Sequence, residues 1–206
     1  MDGTLVDSAA DIAAAVGFTL NELGLPEKEL KEVIGFIGDG MRTLLERATG
    51  FKEERELARA IEIFRPYYLE NCADETTLYP GVQETLEHFK GLPLGLVTNK
   101  PAAMTLKILA HFKISKYFKA VVGGESTPNK KPDPEPVLKA LAEMGVAPEA
   151  ALMIGDGPAD IFAGRRAGTR TCAVTYGYRG REELEKLNPD YIIEHLNKLK
   201  DIDLWH

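Results

Sequence analysis

The sequence lacks several features that would assign it to other classes of protein. It has only two cysteines, Cys72 and Cys172, which are too few for a disulfide framework, so we expect free buried thiols. No apolar run approaches the roughly 20 residues that cross a bilayer. The first residues also lack the basic and apolar regions of a signal peptide. We therefore expect a cytoplasmic protein without a membrane partner.

Positive charge is not in excess either. The 206 residues include 25 Lys and Arg against 32 Asp and Glu, which gives a formal net charge of −7. Nucleic acids are bound by clustered Lys and Arg, so this composition argues against a nucleic-acid partner. A small phosphorylated metabolite needs only a local positive site and fits the composition. The sequence leaves open whether the protein is a monomer or a homodimer.

The order of the apolar runs predicts the fold. Residues 8 to about 75 show the spacing of successive helices. Beyond Tyr79-Pro80-Gly81, short apolar runs alternate with helical stretches, which is typical of βαβ units around a buried parallel sheet. We therefore predict an α/β fold with a doubly wound parallel sheet. The predicted strands are 93–97, 119–122, 151–155, 171–175 and 191–193.

Ligands of such sheets bind at the carboxyl ends of the strands. Two polar segments at predicted strand ends are candidates for binding a ligand. Asp2 is a candidate general acid/base, and Gly3 would let the backbone turn tightly beside a ligand. The alternative for both residues is an ordinary turn. Thr98 and Asn99 could donate hydrogen bonds to a phosphoryl oxygen, and the alternative is a cap for the following helix.

Two further segments carry charge at predicted strand ends. Lys131 precedes a rigid Pro-x-Pro element and would be a fixed positive charge for a phosphate. Its neighbour Lys130 is better interpreted as a solvated charge, although adjacency leaves the choice between them open. Asp156 ends an apolar strand, and Asp160 follows one helical turn later, so the two carboxylates converge and suit Mg²⁺. The alternative is a helix-capping aspartate with an exposed one.

These segments together resemble the haloacid dehalogenase-like phosphatases over the whole chain. The start, DGTLVDS, is similar to the second part of the family motif D-x-D-G-T-L-x-D-S, with Asp2 at its second aspartate. Lys131 stands at the lysine of the family's K-P-x-P. The sequence is most similar to the phosphoglycolate phosphatase branch of this family. The residues that carry this similarity are 79–82 (YPGV), 175–178 (TYGY) and 189–193 (PDYII).

The resemblance implies a mechanism. The first aspartate of the motif attacks phosphorus, and it would stand immediately before Met1, outside the printed sequence. Asp2 would be the acid/base and would offer its backbone carbonyl to Mg²⁺. Thr98 and Lys131 would hold the phosphoryl group. Asp156 would ligate Mg²⁺, with Asp160 beside it or in the surrounding shell. We expect a polypeptide that begins at Met1 to be inactive.

The intervals between motifs predict a helical cap. The long interval from Asp2 to Thr98 leaves room for one, whereas the short interval from Thr98 to Lys131 does not. We therefore assign residues 1–10 and 77–206 to a core domain and residues 11–76 to a helical cap domain, which would exclude water from the site. Arg42, in a glycine-rich joint of the cap, is a candidate for binding a substrate carboxylate. The alternative is a surface charge.

The predicted function is Mg²⁺-dependent hydrolysis of a small phosphate monoester, 2-phosphoglycolate first, through an aspartyl-phosphate. The alternatives are a phosphosugar mutase, another small-metabolite phosphatase, or a non-catalytic scaffold that binds phosphate. The family fold also has a central strand before Asp2. Without that strand, we expect a gap between two buried strands whose backbone groups have no partner.

Overall fold

A computed structural model describes residues 1–202 of the chain. The first part is a group of four helices that covers residues 9–71, close to the range predicted for the cap. A short antiparallel pair of strands brings the start and the end of this group together. The helices are α1 Ala9–Glu22, α2 Leu30–Phe36, α3 Met41–Thr49 and α4 Glu54–Asn71, and the strands are β1 Val6–Asp7 and β2 Thr77–Leu78.

The helical group is held together by apolar faces with helical spacing. Ile12, Val16 and Leu20 of α1 are buried, as are Leu57 and Phe64 of α4, and α1 and α4 pack closely against each other. Each such side chain contributes about 1.5–3 kcal/mol when it leaves water. The helical group is therefore held by apolar packing, and its buried side chains are continuous with the apolar interior of the second part of the chain.

The second part alternates strands with helices, as predicted. The helices are α5 Val82–His88, α6 Ala102–His111, α7 Glu135–Met144, α8 Pro158–Arg166 and α9 Arg181–Glu185. The strands are β3 Leu94–Val97, β4 Phe118–Val122, β5 Leu152–Gly155, β6 Arg170–Val174 and β7 Tyr191–Ile193. Every pairing among these five strands is parallel. The α/β prediction, with a helical insertion after the first motif, is confirmed.

The parallel strands form two separate groups, β3–β4 and β5–β6–β7. An apolar cavity of about 580 Å³ lies between β3 and β5, with α5 and α7 among its walls and Met1 and Leu5 also lining it. The free edges of β3 and β5 pair with no strand in the described part of the chain. The sequence predicts a gap of this kind next to Asp2.

Two expectations from composition can be compared with the structure. Cys72 and Cys172 are both free and buried, as predicted, and burial raises the pKa of the Cys172 thiol to about 12. None of the helices in residues 1–202 is long and apolar enough to cross a membrane.

Candidate active site

A cavity of about 370 Å³ opens at the carboxyl ends of β3 and β5, where the helical group meets the strands. Such strand ends are the expected ligand site of a parallel sheet. The site residues predicted from the sequence that line this cavity are Asp2, Thr98, Asn99, Lys131, Asp156 and Asp160. Gly3 and Arg42, which were predicted with them, do not line it.

The backbone nitrogen of Met1 lies within the charged cluster of this cavity. Burial lowers the pKa of this amino group, and Lys131 lowers it further, while the carboxylates of Asp160, Asp2 and Asp156 act in the opposite direction. A residue joined to this nitrogen would therefore stand beside the same lysine and carboxylates.

Asp2 is held through one of its two carboxylate oxygens. Its Oδ1 accepts hydrogen bonds from the Ser8 hydroxyl at 2.6 Å and from Lys100 Nζ at 2.7 Å. Burial by itself would raise the pKa of Asp2, but the positive charge of Lys100, the Met1 amino group and the hydrogen bonds from Lys100 and Ser8 together outweigh it, and the pKa is lowered. No residue in the range 1–202 donates to the backbone carbonyl of Asp2, so that oxygen is available to a cation.

Asp156 is buried and Asp160 is half-buried, and their carboxylates lie in different electrostatic surroundings. Burial raises the pKa of Asp156, and the nearby charge of Asp160 raises it further. Burial also acts to raise the pKa of Asp160, but Lys131 Nζ, 2.6 Å from its Oδ1, acts together with the Met1 amino group and a backbone hydrogen bond at Gly157 to reverse the direction and lower it. The Thr4 hydroxyl donates to Asp156 Oδ1 at 2.9 Å, and the Tyr178 N–H donates to Oδ2 at 3.1 Å.

The donor chemistry of this site fits a magnesium ion. Described residues form no cluster of three or more His, Cys, Asp or Glu side chains that could hold a metal. Mg²⁺ does not require one, because it usually keeps several waters and takes one or two protein carboxylates together with substrate phosphate. Asp156, repelled by Asp160, and the carbonyl of Asp2 are suitable oxygen ligands.

Lys131, rather than Lys130, is the lysine in the cavity. Lys131 Nζ donates to the Val97 carbonyl at 2.8 Å as well as to Asp160, which leaves one of its three protons for a ligand. Lys130 Nζ donates to the Asp39 carbonyl and lies 3.3 Å from Thr43 Oγ1, so it fastens α3 to the core. The Thr98 hydroxyl lines the cavity. Among residues 1–202 its one hydrogen bond is accepted from the Lys100 N–H, at 3.1 Å, so its proton is free for a ligand.

Asn99 has a different role from the predicted one. Its Nδ2 donates to the carbonyls of Gly38 and Lys131, both at 2.9 Å, and its Oδ1 accepts the Lys131 N–H at 2.9 Å. Both amide protons are therefore used inside the protein and neither is available to a substrate. Asn99 fixes the backbone of Lys131 and ties it to the joint before α3.

Gly3 does not line the cavity either. Its φ is +73°, and a Cβ built on it would lie 2.1 Å from Asp156 Oδ2. The absence of a side chain lets Asp156 pack directly against the backbone that carries Asp2. Gly3 therefore shapes the site by close packing and makes no contact with the cavity.

We expect Gly3→Ala to lower the free energy of unfolding by at least about 1–3 kcal/mol, because it combines an unfavourable φ with a collision at Asp156. Gly17→Ala, in α1, is the matched control. Nothing lies within 4 Å of its added Cβ, so it should stabilise by about 1 kcal/mol. Urea unfolding of both variants measures the difference, and equal changes would contradict the close packing at Gly3.

Arg42 was predicted to reach the substrate, but in the structure it does not line the cavity. Its guanidinium lies on the surface, where it pairs with Glu46 at 3.3 Å and with Glu54. Five residues later on α3, Arg47 lines the cavity and pairs with Asp39 at 2.7 Å. Helical periodicity turns residues 42 and 47 to different sides, so the cavity receives the second arginine.

Sequence reasoning missed other residues of the cavity wall, among them Tyr68, Lys100, Tyr178 and Arg179. Lys100 follows Thr98 and Asn99 directly, so its position after a buried strand was a signal for it. Arg179 donates to the Gly35 and Ile37 carbonyls at 3.4 and 3.1 Å. It therefore connects the loop after β6 with the end of α2, a contact that no sequence pattern indicates.

Comparison with known proteins gives consistent matches over the chain. Residues 1–174 match the family described as haloacid dehalogenase-like hydrolase. The chain is 44% identical to phosphoglycolate phosphatase of Aquifex aeolicus, over 97% of this chain and 92% of that protein. It is 40% identical to the Escherichia coli phosphoglycolate phosphatase, over 97% and 88%. The crystal structure of a predicted phosphoglycolate phosphatase from Haemophilus somnus superposes with a TM-score of 0.91 at 34% identity, covering 98% and 94%.

Proposed function

Because this chain belongs to the haloacid dehalogenase-like hydrolase family and is one of its phosphatases, we propose that it is a Mg²⁺-dependent phosphomonoesterase for a small metabolite. The first candidate substrate is 2-phosphoglycolate. The observation that carries the proposal is the convergence of Lys131, Asp156, Asp160 and Asp2 around the backbone nitrogen of Met1. One cation and several carboxylates at strand ends suit a phosphate and a divalent metal together.

Binding of the phosphoryl group falls to Lys131 and Thr98. The free proton of the Lys131 ammonium and the Thr98 hydroxyl both face the cavity and would donate to phosphoryl oxygens. Asp156 and the carbonyl of Asp2 would hold Mg²⁺, which when bound neutralises charge on the transferring group. Preorganised charges of this kind supply most of the rate enhancement in phosphoryl transfer. Asp160 holds Lys131 in place.

The chemistry requires a polypeptide in which an aspartate precedes Met1, as in the family motif. Its carboxylate oxygen attacks phosphorus while the bond from phosphorus to the substrate oxygen breaks, and Asp2 gives its proton to that leaving oxygen. Asp2 then takes a proton from water, and the resulting hydroxide attacks phosphorus. The bond from phosphorus to the aspartate oxygen breaks, inorganic phosphate leaves, and the free carboxylate returns.

The substrate proposal rests on the cavity and on the relatives. A cavity of about 370 Å³ suits a small ligand, and the relatives at 39–44% identity are named phosphoglycolate phosphatases. A substrate that carries a carboxylate needs a second cation besides Lys131. Arg47 lines the cavity from the helical group, and it replaces Arg42 in this proposed role.

We expect Arg47→Ala to lower kcat/KM for 2-phosphoglycolate more than for an uncharged aryl phosphate. Loss of a charge-assisted hydrogen bond costs about 1.5–3 kcal/mol, or roughly a 10- to 100-fold decrease. Arg42→Ala on the same helix is the matched control, because its guanidinium lies outside the cavity. Equal losses on both substrates would show that Arg47 does not bind the carboxylate.

The proposed function is tested with a polypeptide that carries an apolar strand and an aspartate joined to Met1. We expect it to release inorganic phosphate from 2-phosphoglycolate with Mg²⁺ and not with EDTA. Sugar phosphates are assayed in parallel, because conversion of one sugar phosphate into an isomer would indicate the phosphosugar mutase. Binding of phosphate without any turnover would overturn the proposal in favour of a non-catalytic scaffold.

A further inference from the structure

Lys100 is a buried ammonium that phosphate binding does not explain. Its side chain is only 4% exposed, and burying an ammonium is costly unless it is paired and hydrogen-bonded. Its Nζ donates to Asp2 Oδ1 at 2.7 Å and to the Tyr68 hydroxyl. The Nζ also lies 4.7 Å from the centre of the Tyr68 ring. Both of its hydrogen bonds are therefore directed to protein groups.

The backbone around Lys100 is anchored, so the direction of its side chain is well defined. Its N–H donates to the Thr98 hydroxyl at 3.1 Å. Its carbonyl accepts the Gly124 N–H at 2.9 Å and lies 3.4 Å from the Thr105 hydroxyl. The lysine stem thus extends from a fixed loop at the end of β3 toward Asp2.

Two donors meet on a single oxygen of Asp2. Oδ1 accepts both the Ser8 hydroxyl and the Lys100 ammonium, while Oδ2 accepts nothing from residues 1–202. Restraining one oxygen from two directions fixes the rotation of the carboxylate. The second oxygen is then the one that can exchange a proton with a ligand in the cavity.

The other partner of Lys100 comes from the helical group. Tyr68 lies on α4, is 3% exposed, and packs against Phe64 with the ring centres 5.2 Å apart. Its hydroxyl and its ring both contact Nζ, so α4 defines where the ammonium rests. Through Lys100, the helical group is therefore connected to the orientation of Asp2.

We propose that Lys100 is a positioning residue for Asp2 and that Tyr68 holds it from the helical group. Lys100 turns Asp2 Oδ2 toward the leaving oxygen of the substrate. Oδ2 takes up its proton when the negatively charged phosphate binds beside it, because that charge opposes the charge of Lys100, and it passes the proton to the leaving oxygen as the bond from that oxygen to phosphorus breaks. This inference rests on the proposed function, in which Asp2 is the acid/base. It assigns to Lys100 a role separate from the phosphate-binding role of Lys131.

The test compares substrates whose leaving groups differ in their need for a proton. An alkyl phosphate such as 2-phosphoglycolate expels a basic alkoxide, whereas p-nitrophenyl phosphate expels a stable phenolate. In the polypeptide that carries the aspartate before Met1, Lys100→Met should lower kcat/KM for the alkyl phosphate on the order of 100-fold. The decrease for p-nitrophenyl phosphate should be much smaller, because that leaving group departs without a proton.

Tyr68→Phe removes only the hydroxyl that holds Lys100 and should produce the same selective loss at about fivefold. Tyr67→Phe is the matched control on the same helix. Its ring stacks on Phe18 at 4.2 Å, and its hydroxyl bonds to none of the residues that the structure describes, so it should leave both substrates unchanged.

The outcomes separate this inference from the proposed function. A parent polypeptide that hydrolyses neither phosphate ester overturns the proposed function itself. A parent that is active, with Lys100→Met lowering kcat/KM equally for both esters, overturns only the positioning role. A crystal structure of Lys100→Met adds a readout that needs no turnover. We expect Asp2 to be rotated in it, and an unchanged Asp2 carboxylate would contradict the proposal.

Discussion

A polypeptide with aspartate immediately before Met1 is expected to be an active phosphatase, and asparagine at that position is expected to abolish the activity. The two polypeptides differ by one carboxylate oxygen, so folding and metal binding should be affected far less than turnover. We expect kcat with 2-phosphoglycolate to fall on the order of 10⁴-fold or more, the range found when a nucleophile is removed from an enzyme that forms a covalent intermediate.

The structure supports this expectation through the position of Met1. Its nitrogen is buried within the electrostatic reach of Lys131, Asp160, Asp2 and Asp156. A side chain attached to the preceding residue would enter the same cluster, where Lys131 can hold the phosphoryl group for attack. Each of the three carboxylates that residues 1–202 bring to this cluster already has a structural partner: Asp2 accepts from Lys100 at 2.7 Å, Asp156 from Thr4 at 2.9 Å and Asp160 from Lys131 at 2.6 Å.

A polypeptide that begins at Met1 provides the second comparison. We expect it to release no phosphate above the rate without enzyme. Turnover by this polypeptide, or equal turnover by the asparagine and aspartate forms, would show that a different group attacks phosphorus. Asp7 is a poor candidate for this alternative nucleophile. It lies outside the cavity wall and accepts hydrogen bonds from the Ala9 N–H and the Tyr178 hydroxyl.

The second large effect is expected for Mg²⁺ binding. Asp156→Asn should weaken Mg²⁺ binding on the order of 100-fold. Loss of a group that only orients a metal ligand typically costs 10–100-fold in affinity, and loss of a ligand itself should cost at least as much. Asp156 is suited to the metal because burial and its neighbour Asp160 both disfavour its charge, so a bound cation would relieve that repulsion.

Asp133→Asn is the control for this measurement. Its carboxylate accepts the Glu135 N–H at 2.9 Å at the start of α7, away from the cavity wall. Calorimetric titration with Mg²⁺ should give an unchanged Kd for Asp133→Asn and a strongly increased one for Asp156→Asn. Equal affinities would remove Asp156 from the metal site.

The same titration has a defined pH dependence. Only the ionised carboxylate binds the metal, and the pKa of Asp156 in the metal-free protein is raised. As the pH is lowered, protonation of Asp156 competes with Mg²⁺. The affinity for Mg²⁺ should therefore begin to decrease at a higher pH than it would with an aspartate of ordinary pKa. The residual Mg²⁺ binding of the Asp156→Asn variant should not show this decrease in affinity.

The sequence by itself determined the order of the elements and the residues at the strand ends. Five short apolar runs, each bounded by polar or glycine-rich segments, are β3 to β7 in the structure within one or two residues. Thr98 and Asp156 lie in the cavity because residues just after parallel strands share one edge of the sheet. These are local properties of pattern and spacing, so they can be predicted without knowing which parts of the chain meet.

The tertiary structure decided what each polar group does there. Asn99 and Lys100 are adjacent in the sequence but have different partners. The Asn99 amide donates hydrogen bonds to the carbonyls of Gly38 and Lys131. The Lys100 ammonium donates to Asp2 and to the Tyr68 hydroxyl. These partners are distant in the chain. A hydrogen bond depends on the position and direction of both partners. The spacing of residues along one segment does not predict either of these for a partner that is distant in the chain.

The same limit applies to charge on the helical group. The helical pattern of α3 predicts which of its residues share a face, but the packing of α3 against the rest of the protein determines which arginine reaches the cavity. Arg42 pairs with surface carboxylates, and Arg47 lines the site. Periodicity thus relates positions on one helix to each other, and only packing between the helical group and the strands orients that helix toward a substrate.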